Sequence, residues 1–135
     1  MIEILGRVDE YGRALIPIAF SNPLGTQSHT AEVWIDTGFT GHLLLTPEVY
    51  TALGITPSGQ MPIVQSDGIP QTRNTYRCDI AWLGGPRTIT ALSGTTKFPL
   101  IGVHLLANAI LTIDYHLDTV RLQLPAHPAP AEYIS

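Results

Sequence analysis

What most limits the fold of this chain is that its apolar residues come in short alternating runs, with turn residues between them every ten positions or so. RALIPIAF (13–20), TAEVWI (30–35), RTITAL (87–92), ILTID (110–114) and TVRLQL (119–124) each have the length and alternation of a strand. DEYG links ILGRV to RALIPIAF as a hairpin connection, and Pro17 suits an edge strand because it has no N–H to donate. NPLGTQSH (22–29), GGP (84–86) and YHLD (115–118) read as turns, HLLL (42–45) and FPLIG (98–102) as short strands. Residues 58–83 form a long hairpin with Ser66-Asp67-Gly68 at or near its tip. On its return arm Tyr76, Cys78, Ile80 and Trp82 share one face. Helix is scarce. TPEVYTALGI (46–55) has Thr46 as N-cap, Pro47 at the first position and Gly54 as its stop. VHLLANA (103–109) has room for one more short helix. The class is mostly β, a barrel or sandwich with one or two short helices.

At 135 residues the chain is one domain by length. Residues 1–124 carry the pattern, and 125–135 are a Pro- and Ala-rich tail unsuited to a strand. Charged residues make up only 13%, about half the usual share. Either Ser, Thr, Asn and Gly cover the surface, or another subunit covers part of it. The net charge of −4, with no basic cluster, gives no reason to bind nucleic acid or anionic lipid. Cys78 stands alone, which fits a reducing compartment. Neither a signal peptide nor a membrane-length apolar stretch is present, so a soluble cytoplasmic protein is expected.

The chemistry concentrates in WIDTG (34–38), where an apolar strand runs directly into a carboxylate. Asp and Gly are common turn residues, so alone this is weak. The rivals are weaker still. The histidines at 29, 42, 104, 116 and 127 lack His-x-x-His or Glu-x-x-His spacing, so neither a zinc site nor any other metal or cofactor is expected. Cys78 sits on the apolar face of a strand and reads as core, as do Trp34 and Trp82. No serine elbow or phosphate loop appears.

VWIDTGFTG (33–41), a hairpin with a polar tip, and then FPLIGVHLL (98–106) follow one another in an order that resembles the retropepsin-like aspartic proteases, small single-domain cellular members most of all. The resemblance covers about residues 2 to 124. It implies a closed acid-protease β-barrel with a flap hairpin, assembled as a homodimer. By position, Asp36 would be the catalytic acid, Thr37 would hydrogen-bond across a two-fold axis, and Gly38 would admit substrate. Leu100, Ile101 and Gly102 would form the ψ-shaped crossing beneath Asp36, and Ser66, Asp67 and Gly68 the flap tip. The chain departs from the family pattern at Val103-His104, where viral relatives carry Arg then Asp or Asn, and at Phe39, where they prefer Ala.

Such proteases need two carboxylates, one as base toward water and one as acid. Two carboxylates roughly 3 Å apart share a single proton. With one Asp-Thr-Gly per chain, the resemblance implies a C₂ dimer that cuts a peptide or protein substrate without metal or cofactor. The alternative is a non-catalytic barrel of the same kind that binds peptides or dimerises.

Overall fold

A computed structural model describes residues 2–64 and 67–125. Ten strands and one helix follow the chain: β1 Ile2–Val8, β2 Ala14–Ser21, β3 Ser28–Ile35, β4 Leu43–Leu45, α1 Pro47–Ala52, β5 Gly59–Val64, β6 Pro70–Trp82, β7 Gly85–Ser93, β8 Leu100–Ile101, β9 Ile110–Asp114 and β10 Thr119–Leu124. All ten strands lie in one sheet, ordered β5-β6-β7-β4-β8-β3-β2-β1-β10-β9. The sheet curls until β2 meets β6 through Phe20↔Ile80 and Ser21↔Asp79. That contact closes a six-stranded barrel of β6, β7, β4, β8, β3 and β2. Closure removes the unpaired edges an open sheet would leave there. β1, β10 and β9 continue outward from β2 as an antiparallel wing.

Alternation puts two apolar rows on the two faces of the barrel wall. Ile16, Val33, Ile35, Ile101 and Leu43 point inward with Phe20, Cys78 and Ile80, Leu122 of the wing joins the same core, and all are at most 5% exposed. Directly paired residues share a face, so Leu15, Trp34, Leu100 and Leu44 form the second row. Trp34 therefore does not fill the barrel core. It is partly exposed on the outer row, where Arg13 lies 5.8 Å from its ring and 4.8 Å from that of Phe98. Trp82 packs against the core but also stays partly exposed. The core is built from branched aliphatics and Phe20 instead.

Pro17 sits in a strand that is interior to the sheet, not at its edge. Its surroundings explain the tolerance. β2 pairs with β1 only at Ala14 and Leu15 and with β6 only at Phe20 and Ser21, so Pro17 has a neighbour on one side alone.

Helix α1 forms where its punctuation places it, with Pro47 first and Gly54 at φ +65° beyond its end. Val49 and Leu53, at 1% and 0% exposure, dock it on the core. Thr46 occupies the cap position through its backbone, since its side chain makes no capping bond. Residues 103–109 do not form the expected second helix. They make successive turns, with N–H groups of Leu105, Leu106 and Ala109 donating to carbonyls three residues back. Asn108, at φ +66°, ends the run before a continuous helix can start. Among the described residues no helix is long and apolar enough to cross a membrane.

Candidate active site

Two strands fix the Asp36 loop, β3 through its buried end and the buried β8. β3 delivers the chain to Asp36, and β8 runs parallel to it through Trp34↔Leu100 and Ile35↔Ile101. On its other side β8 pairs antiparallel with β4 through Leu43↔Ile101 and Leu44↔Leu100. The two-residue strand β8 is thus threaded between the strand entering the Asp36 loop and the strand leaving it. Ile101 is fully buried.

Four backbone hydrogen bonds stitch the crossing: Asp36 N–H to Ile101 O at 2.9 Å, Gly102 N–H to His42 O at 3.1 Å, Val103 N–H to Phe39 O at 2.9 Å and His104 N–H to Gly41 O at 3.3 Å. Gly102 is required for the fit. A Cβ there would stand 2.2 Å from the Gly41 carbonyl oxygen and 2.6 Å from that of Phe39.

On this support Asp36 is half-buried, and its Oδ1 accepts the Gly38 N–H at 3.0 Å. Among the described residues it has no basic partner. Thr37 and Gly38 are exposed beside it. Asp67 and Gly68 lie exposed at the β5–β6 hairpin end, where Asp67 Oδ1 accepts the Ile69 N–H and Gly68 takes φ +76°. Ser66 lies outside the described residues. So do tail residues 126–135.

Next to the Asp36 loop is a partly open pocket of about 230 Å³. Phe39 to Leu43 form one wall, Met61 and Ile63 of β5 another, and Thr75, Thr90 and Leu92 of the barrel the rest. It is mostly apolar and contains no acidic side chain. Hollows of about 330 Å³ and more occur elsewhere, one at the β2–β6 seam, but they are more open and lack any Asp36-loop residue. Met61 and Ile63 alternate along β5, which was visible in the sequence; the cavity they close was not.

His42 and His104 are also brought together by the crossing, with ring centres 5.5 Å apart. Partial desolvation of the His42 ring, then the positive charges of Arg87 and His104, lower its pKa from the usual imidazole value, although the side chain remains exposed. Among the described residues no group of three or more His, Cys, Asp or Glu is placed to hold a metal.

No protein-family model matches the chain. No curated protein matches it either. Among solved structures it is similar to the crystal structure of a retropepsin-like aspartic protease from Rickettsia conorii, with a TM-score of 0.59 and 18% identity over 89% of each chain. At that identity the likeness concerns architecture alone, and with the closed barrel it shows that the chain has the retropepsin-like fold.

Proposed function

We propose that the chain is an aspartic endopeptidase, active as a homodimer in which Asp36 of one copy meets Asp36 of the other. One observation carries the reading. A carboxylate without a basic partner among the described residues stands on a loop anchored in the core by a threaded strand, beside a mostly apolar, partly open pocket. A turn aspartate with only a local role needs neither the anchoring nor the cavity.

In this reading each copy supplies one carboxylate. The ionised one takes a proton from water, and the protonated one gives a proton to the carbonyl or the leaving nitrogen. The β5–β6 hairpin is the flap. An extended peptide pairs with its backbone and places one side chain in the cavity lined by Met61 and Ile63. Thr37, exposed on the loop, reaches the partner's loop across the two-fold axis. Leu100, Ile101 and Gly102 hold the loop from below. The single cysteine, Cys78, fits a cytoplasmic setting.

The test is to incubate wild type and Asp36→Asn with a diverse peptide mixture from about pH 3.5 to 7.5. The reading expects cleavage by wild type, strongest at acid to mildly acid pH, and none by a folded Asp36→Asn. Equal cleavage by both refutes it. Cleavage by neither favours a barrel that binds peptides without cutting them.

A further inference from the structure

His42 and His104 are far apart in the chain, yet the strand crossing sets their rings 5.5 Å apart with 49° between planes. Both are exposed, and both backbones are held by the crossing's hydrogen bonds, through the carbonyl of His42 and the N–H of His104. An imidazole bound to zinc at about 2.0–2.1 Å places its ring centre roughly 3.2 Å from the ion. Two imidazoles on one tetrahedral ion therefore have centres about 5.2 Å apart. The observed separation of ring centres is close to this.

We propose that His42 and His104 form a two-imidazole site for a divalent transition metal ion of the zinc or copper class. Imidazole is a favoured ligand for these ions. With no third protein ligand grouped among the described residues, water completes the coordination and the ion exchanges freely. It is thus not a structural zinc centre, which would have four protein ligands. The bound ion bridges the Asp36 loop to the turns after β8, at the wall of the cavity that His42 lines. The positive charge of Arg87 reaches His42 and opposes a dication there. This site does not depend on the protease reading.

The experiment titrates the full chain with zinc chloride at about pH 7.5, following heat and the histidine ring resonances by NMR. Saturable binding of one ion per chain is expected, with the His42 and His104 signals shifting first. His42→Ala and His104→Ala should each weaken it by about tenfold or more, while Arg87→Gln should tighten it. All three side chains are exposed, and circular dichroism confirms that the variants are folded. The proposal is overturned by the absence of binding at millimolar zinc, by unchanged affinity in the double histidine variant, or by shifts confined to other histidines.

Discussion

The backbone N–H of Asp36 donates to the carbonyl of Ile101 at 2.9 Å, so the carboxylate's position is set by a residue with no solvent exposure. Ile101 in turn pairs with Ile35 on one side and Leu43 on the other. The loop and the barrel core are therefore one mechanical unit, and packing changes beneath the loop should be felt at Asp36.

Truncating Ile101 tests that coupling. Ile101→Ala should cost about 2–5 kcal/mol and Ile101→Val about 0.5–1.5 kcal/mol, read from urea midpoints. If the proposed activity is present, Ile101→Ala should lose more of it than its unfolded fraction explains. A shift under 1 kcal/mol for the alanine variant, on the order of a surface change, would contradict the threaded core position.

Two glycines of the crossing should respond differently. At Gly102 a new Cβ meets two backbone carbonyl oxygens that are tied into the crossing, whereas at Gly41 it meets the ring of Phe39. A ring can rotate away; a stitched backbone cannot. Gly102→Ala should lose about 3 kcal/mol and Gly41→Ala clearly less. The reverse order in thermal denaturation would show that the crossing is looser than described.

Cys78 is fully buried, and burial, with the charge of Asp79 adding to it, pushes its thiol up to about 12. At about pH 8 the native protein should resist iodoacetamide, with labelling accelerating in urea in step with loss of circular dichroism. Rapid stoichiometric labelling of the native protein would place the thiol elsewhere.

Acid should act through Asp9. Burial works to raise this carboxyl, but hydrogen bonds from the Arg13 backbone, the Arg13 guanidinium and the Tyr11 N–H, with the charge of Arg13, outweigh it and hold it below the usual value. A depressed folded pKa adds stability above the unfolded value of about 4, and that stability is lost as pH falls through the folded value. Asp9→Asn should therefore be less stable than wild type at neutral pH, and the gap should close as pH drops below about 4. A gap independent of pH in urea titrations would show that Asp9 matters only by shape.

Much of this architecture was legible because strand alternation and turn chemistry are local. The β5–β6 hairpin and helix α1 lie where Gly68, Pro47 and Gly54 punctuate them. Residues 103–109 misled because an apolar stretch of seven is compatible with either a helix or turns. Burial of Leu105 and the left-handed Asn108 favoured turns. Trp34 alternates like a core residue, but the barrel wall has two apolar faces and it belongs to the outer one. Asp36 was visible from its motif. The cavity and the His42–His104 contact were not, because both arise from a strand threaded between segments distant in sequence.

The most direct test of the central claim, one carboxylate from each of two copies, is subunit mixing. Wild type at fixed concentration is equilibrated with increasing Asp36→Asn, and peptide cleavage is followed. If the active unit is a dimer that needs both aspartates, random exchange leaves roughly half the activity at an equal amount of variant and roughly one tenth at a ninefold excess. Activity that stays constant as the inactive chain is added would mean that a single copy cuts alone, and would contradict the account.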